Sequence, residues 1–451
     1  MRRFNEIERA GAPKRTHGAL SWPGLFAIGI MLSGCTSPEL RDTVRQIDQM
    51  EREINAPPAP PPPDEAVLDP DRLMTTAKDR GKDFLRARIS KARAVVELDA
   101  AKSGRYPRVS VTARRISYYT GDVDDITSYS NIVLGVNWDV MRALLRLDRN
   151  AVAIAGRLIP VQYQVAEHKA MTRLLSAYVD YSALDFKRED VLNDQAALAC
   201  KVDDLEVEVA LGNASPSELD ALRGQIKAAD AELEAVKQSM ASGRDQLLAL
   251  AGLAEGGYDV APGQSMLPAL KALPNVVTDD GAACFEHSGN RQLEDLLVAA
   301  AGAQLQLAKQ SRFTKLTTSV PNFMTQTGGF NLQFLISYVL PLIDQGDSLR
   351  LTQKARLSLM ETILTARDNR RDFMGDFDSL GLKLAEAESS LATARSALVH
   401  AENAVKTEEP LTACNDRVAL AKAQKSVRQA LFRIDGIKAE LRLLCAPIVE
   451  G

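Results

Sequence analysis

Histidine, cysteine and aromatic side chains are scarce in this chain, and each scarcity removes a class of function. The four histidines, His17, His168, His287 and His400, stand far apart and the five cysteines stand singly, so no metal-ligand spacing occurs. Five cysteines in 451 residues also exclude a disulfide-rich scaffold. Aromatics are 5% of the chain, while Ala, Leu, Lys, Arg, Glu and Gln fill long stretches, a composition of extended helices rather than of a β-sandwich or doubly wound sheet. A balance of 55 basic against 59 acidic residues, with 45% apolar, excludes a polybasic nucleic-acid binder and a disordered tail. No Gly-rich phosphate loop, Gly-x-Ser-x-Gly elbow or paired-cysteine motif is present, so neither an enzyme nor a cofactor is expected. His168 and His400 read as plain helix residues.

What is there begins with an export signal. Arg2, Arg3, Arg9, Lys14 and Arg15 precede an apolar run from Leu25 to Leu32, too short to span a bilayer as a helix. The run leads into Leu32-Ser33-Gly34-Cys35, which resembles the lipobox of bacterial lipoproteins. Cys35 is then the lipidated first residue of the mature chain, and Thr36, in place of an inner-membrane retention aspartate, directs it to the outer membrane. An ordinary signal peptide with an incidental cysteine is the alternative. The proline run over 56–63 follows as a polyproline II spacer of roughly 20 Å.

The body reads as two copies of one pattern: helix, two strands, a very long helix, a break and a shorter returning helix. In the first copy a helix over 72–103 precedes strands that alternate around Gly121-Asp122, with Ile132, Leu134, Val136 and Trp138 on one face. In the second, a helix over 288–312 precedes strands around Gly328-Gly329, with Leu332, Phe334, Ile336, Tyr338 and Leu340 on one face. Strands of about ten residues suit a tilted transmembrane strand, and tyrosines 106, 118, 119 and 129 sit where an interfacial girdle would. A soluble hairpin gives the same alternation.

Helices over 140–210 and 346–406 would be rods of roughly 90–105 Å. Leu380, Leu384, Ala387, Leu391, Ala394, Leu398, Ala401 and Val405 form one heptad seam, and Leu219, Leu222, Ile226, Ala229, Leu233, Val236 and Met240 another. Returning helices of about 35 residues cannot run back along a whole rod, so the helices before the hairpins are expected to complete the columns. Pro160, inside the first rod, predicts a kink. The break Leu211-Gly212-Asn213-Ala214-Ser215-Pro216-Ser217-Glu218-Leu219 reads as a glycine stop and a new start, with Ser215 as N-cap, Pro216 at the first helical position and Glu218 in the capping-box place.

In this order, twice over, the chain resembles the TolC family of outer-membrane efflux and secretion ducts across about 70–446. Tyr106-Pro107, Trp138-Asp139, Ala177-Tyr178-Val179-Asp180, Asn290-Arg291-Gln292-Leu293 and Leu340-Pro341-Leu342-Ile343-Asp344-Gln345-Gly346 look like family signatures. The resemblance implies a mainly α fold with a small β part: a homotrimeric helical tunnel in the periplasm, continued by a twelve-stranded barrel with four strands from each subunit. It implies the passive exit duct of a tripartite efflux pump or type I secretion system, with a periplasmic adaptor and an inner-membrane transporter as partners. Gly212, Ser215, Pro216, Glu218 and Leu219 then form the tip on which the adaptor docks, and the acidic ring narrowing the entrance maps to Asp416. The second break, Lys406 to Leu411, lacks the family's glycine, which leaves its register open.

On this architecture the chain divides into a signal peptide over 1–34, anchor and spacer over 35–71, a first repeat over 72–254 with strands at 108–139, a connecting segment over 255–287, a second repeat over 288–446 with strands at 316–343, and a tail over 447–451. Cys414 and Cys445 lie roughly 46 Å apart along one helix and cannot join. In such a tunnel Cys445 and Cys284 meet at its midsection, which makes them the expected pair. A Cys200–Cys414 bridge is disfavoured by their unequal distances from the two breaks. The competing reading is a structural coiled-coil lipoprotein, an adaptor or tether whose hairpins never enter lipid.

Overall fold

Gly81 interrupts the first helix of the body, and the interruption shows how the chain is folded back on itself. In the computed structural model, which describes residues 38–55, 67–103, 108–119, 126–139, 149–254, 257–271, 273, 280–310, 315–319, 322–324, 330–332, 335–339, 347–406 and 413–448, the helix expected over 72–103 is two. They are α2 (Pro70–Arg80) and α3 (Lys82–Ser103). A Cβ on Gly81 would lie 2.8 Å from the Leu250 carbonyl oxygen, so only glycine lets the returning helix come so close. The second repeat makes the same corner with serine at the break and Gly289 directly after it. There a short helix the sequence did not announce, α6 (Gly281–His287), ends at Ser288, whose buried hydroxyl donates to the Phe285 carbonyl and accepts from the Arg291 amide, starting α7 (Gly289–Gln310), the helix expected over 288–312.

The long helices are α4 (Arg149–Ala210) and α8 (Asp347–Lys406), 62 and 60 residues, hence rods of roughly 90 Å. Pro160 is exposed and lies within α4, which runs unbroken through it. The returning helices are α5 (Pro216–Ala251) and α9 (Ala413–Leu444). The 36 residues of α5 followed by the 22 of α3 nearly match α4 in length, and α9 followed by α7 does the same for α8. The columns are joined end to end at the waist, where the Gly289 amide donates to the Ala446 carbonyl at 3.0 Å. On α8 the heptad seam is the packed face: Leu380, Ala387, Ala394 and Ala401 are buried, and Leu384, Leu391, Leu398 and Val405 half-buried. On α5, Leu219 and Val236 are buried and the other seam residues half-buried. Alanine at every seventh position lets α8 lie close to its neighbours.

Ahead of the body, α1 (Pro38–Asn55) rests on α3 through Met50, and Glu53 pairs with Arg88 at 3.5 Å. Two short strands, β1 (Val67–Leu68) and β4 (Asp259–Val260), pair in parallel and tie the start of the body to the connecting segment, a contact no periodicity announces. The main core lies there: Leu73, Met74, Leu174, Leu175, Tyr178, Leu247, Leu248, Val260, Leu270 and Phe432 come from six segments.

Above the columns, β2 (Arg108–Tyr119) and β3 (Ile126–Asp139) pair antiparallel from Arg108↔Asn137 to Tyr119↔Ile126. The second hairpin comprises β5 (Lys315–Ser319), β6 (Asn322–Met324), β7 (Phe330–Leu332) and β8 (Leu335–Val339), with β5 on β8 and β6 on β7. Trp138↔Thr318 and Asp139↔Thr317 join the hairpins into one four-stranded sheet, ordered β2-β3-β5-β8. Cys35, Tyr106-Pro107, Leu340–Gly346, and the side chains of Tyr118, Tyr119 and Tyr129 lie outside the described residues. Among the described residues no helix is long and apolar enough to cross a membrane.

Candidate functional site: the distal ends of the rods

The first rod ends in a Schellman turn built by Gly212. Its φ of +79° is left-handed, its amide donates to the Val209 carbonyl, and the Asn213 amide donates to that of Glu208 at 2.9 Å. A Cβ there would meet nothing within 4 Å, so a side chain is opposed by backbone strain alone, about 1–2 kcal/mol. Ser215 caps α5, with Pro216 at the first helical position. The cap hydroxyl accepts from the Ser217 amide at 3.2 Å, one residue earlier than a capping box through Glu218 would have it, and the Glu218 amide bonds the Ser215 carbonyl. Leu219 is buried, closing α5 onto α4, while Val207 and Leu211 stand largely exposed one turn apart at the tip.

The second rod's partner begins elsewhere. Cys414, the second residue of α9, is bonded to Cys200 with α-carbons 5.9 Å apart, the bridge that distance from the breaks argued against. The reason is axial stagger. Cys200 lies ten residues before the end of α4, so the first tip projects roughly 15 Å beyond the start of α9. Asp416, half-exposed in the first turn of α9, therefore sits beside the α4 shaft, not with Gly212–Leu219, where a carboxylate also favours the helix N-terminus. Cys284 and Cys445 are bonded at the waist, α-carbons 5.1 Å apart.

From the bridge toward the waist, α9 is joined to α4 by a ladder of ion pairs: Lys422–Asp194 at 2.6 Å, Lys425–Asp190 at 2.6 Å and Arg428–Glu189 at 2.8 Å. The outer pairs are solvated and each contributes about 0–1 kcal/mol, less in high salt. Lys425 is the exception, its side chain 5% exposed and its ammonium 5.9 Å from the Phe186 ring centroid. On α9 the buried apolar residues of this stretch are Ala423 and Ala430, with Phe432 the first large one, while α4 contributes Val191 and Phe186.

The fold as a whole is similar to those of solved structures of known proteins. The outer membrane protein VceC from Vibrio cholerae superposes with a TM-score of 0.62 at 16% identity, over 84% of this chain and 97% of VceC. This is the TolC fold. The open-state MtrE outer membrane channel of Neisseria gonorrhoeae gives 0.60 at 14% identity, over 87% and 94% of the two chains. The CmeC outer membrane channel of Campylobacter jejuni gives 0.60 at 10%, over 85% and 87%. No family model matches the sequence, and no curated protein matches it.

Within this TolC fold the Ala177–Asp180 signature has a structural role. The Tyr178 hydroxyl donates to the Ala261 carbonyl at 2.8 Å and accepts from the Gln264 amide at 3.0 Å, while Tyr181 and Ser182 bind Val260 and Gly263. Three side chains of α4 thus hold the connecting segment to the waist, and burial pushes the Tyr178 hydroxyl up to about 12. Burial also raises the carboxyls of Asp185, Glu294 and Glu440, with Arg188, Arg291 and Lys383 respectively opposing it. Glu294 and Glu440 line an open groove of about 660 Å³ bounded by α4, α7, α8 and α9. His168 also lines it, its pKa lowered by burial and by Lys78, so the ring is neutral at neutral pH. Among the described residues no group of three His, Cys, Asp or Glu is placed to hold a metal ion.

Proposed function

We propose that the chain is one subunit of a trimeric outer-membrane duct, anchored by lipid at Cys35, that serves passively as the exit of a tripartite efflux pump or type I secretion system. The observation that carries this reading is the four-stranded sheet at the head of roughly 90 Å columns, whose outer strands β2 and β8 pair with no further strand among the described residues. Free strand edges are not tolerated in lipid, and closing such a sheet with copies of itself removes them. An exposed stripe on α8, Leu357, Met360 and Leu364 at helical spacing, supports the same assembly along the rods. On this reading the segment boundaries are those drawn from the sequence, the Gly212–Leu219 tip receives a periplasmic adaptor, and an inner-membrane transporter supplies the energy.

Fractionation tests the core of it. The protein is expected in the outer membrane as a trimer that heat dissociates, labelled by a fatty-acid probe that Cys35→Ser abolishes. A soluble monomer in the absence of detergent would refute the duct. Gly212→Val is expected to cut export severalfold while trimer abundance holds, because its strain is local and its surroundings empty; intact export would remove this turn from the docking surface. Asp416→Ala, by deleting three carboxylates from the entrance of a trimer, should raise single-channel conductance and lower cation preference in planar bilayers. An unchanged channel would place the constriction elsewhere.

A further inference from the structure

The two sulfur bridges differ in what surrounds them. Cys284 and Cys445 are completely buried, enclosed by Phe285, Phe373 and Leu444. Cys200 is also buried, but Cys414 is exposed, one residue after the start of α9. Thiol–disulfide exchange requires a thiolate to reach one sulfur of the bond, so access selects between the two bridges.

They also differ in what they hold. The waist bridge reinforces a corner already packed by aromatic rings, with Phe285 and Phe373 centroids 5.1 Å apart. The distal bridge closes a seam where, short of Phe432, the ion pairs between α9 and α4 are two solvated ones and the Lys425–Asp190 pair, and where the buried apolar residues of α9 are the small Ala423 and Ala430. Salt screens the solvated pairs, whereas it leaves a covalent bond untouched.

We propose that Cys200–Cys414 is a redox-modification site, opened by a dithiol reductant, and that its opening releases the distal part of α9 from α4 while Cys284–Cys445 stays closed. A thiolate of the dithiol attacks the Cys414 sulfur, the bond to Cys200 breaks, and Cys200 leaves as a thiolate that takes up a proton. The second thiolate of the reductant then attacks its own sulfur in the mixed disulfide, releasing Cys414 as a thiolate that is protonated in turn. The dithiol ends as a disulfide, and the two cysteines have gained two electrons and two protons. Asp416 rides on the freed turn, so in a duct the entrance would loosen on reduction; this consequence, unlike the bridge chemistry, rests on the function proposed above.

The test uses the full-length protein, purified oxidised in detergent and treated with dithiothreitol under native conditions. Thiol mapping should find Cys200 and Cys414 labelled at least about tenfold faster than Cys284 and Cys445. Hydrogen exchange should accelerate roughly tenfold or more across 414–430, and further at high salt, while 432–444 is unaffected. The Cys200→Ser/Cys414→Ser double variant should show the same exchange pattern without reductant. Equal reduction of both bridges, or unaltered exchange in the reduced protein and the double variant, overturns the proposal. Conductance is read separately. A channel that conducts identically oxidised and reduced, although exchange has changed, overturns the entrance consequence, and a protein that never conducts overturns the duct.

Discussion

Replacing Cys284 and Cys445 together by alanine is expected to lower the unfolding free energy by about 4 kcal/mol. The bond joins residues 161 apart, so the unfolded chain loses the entropy of a long loop, and alanine leaves neither a free thiol nor a buried hydroxyl behind. The site is the corner where the end of α9 meets the start of α7. There the Gly289 amide bonds the Ala446 carbonyl, and Ile448 packs so near Gly289 that a Cβ would lie 2.8 Å from it. Denaturant titration of both proteins under non-reducing conditions measures the loss. A difference below about 1 kcal/mol would mean that the corner is held by packing, with the bond incidental.

Gly252→Val should be nearly as damaging, at about 3 kcal/mol or more, and should reduce accumulation of the assembled protein. Gly252 caps α5 with φ at +74°, as Gly212 caps α4 at +79°. The surroundings separate them. A Cβ on Gly252 would lie 2.2 Å from the Arg80 carbonyl oxygen, which is backbone and cannot turn aside, whereas the same atom on Gly212 meets open space. The valine at 252 therefore adds a clash to the left-handed strain, and relieving it means parting the α2–α3 corner from the end of α5, through the main core. Thermal melts of the Gly212→Val and Gly252→Val proteins side by side check this. Equal melting temperatures would show that the close approach at the waist yields at little cost.

Much of the architecture was legible because its signals are local. The cap at Ser215, the stop at Gly212 and the heptads of α5 and α8 each follow from residues within a turn or two of one another, and the heptad positions named are buried or half-buried in the structure. The two-residue alternation over 126–139 likewise marks a strand whatever it pairs with. The helix over 72–103 was misread as continuous because its break answers a constraint from far along the chain, the Leu250 carbonyl against Gly81. The parallel β1–β4 pair was not legible at all, being two residues on each side with no room for a period to show.

What the sequence by itself determined, then, is the set of rods, their seams and their stops. Only the tertiary structure decided how far each rod slides along the next. A heptad seam packs equally well after a shift of seven residues, about 10 Å, so periodicity leaves axial register degenerate. The degeneracy is lifted by features that do not repeat: the Gly289–Ala446 junction and the Cys284–Cys445 bond at the waist, and the ladder of Asp190, Asp194 and Glu189 against Lys425, Lys422 and Arg428 along the shaft. That register puts Cys414 beside Cys200, ten residues short of the first tip, so the bond that distance from the breaks argued against follows from the stagger of the rods.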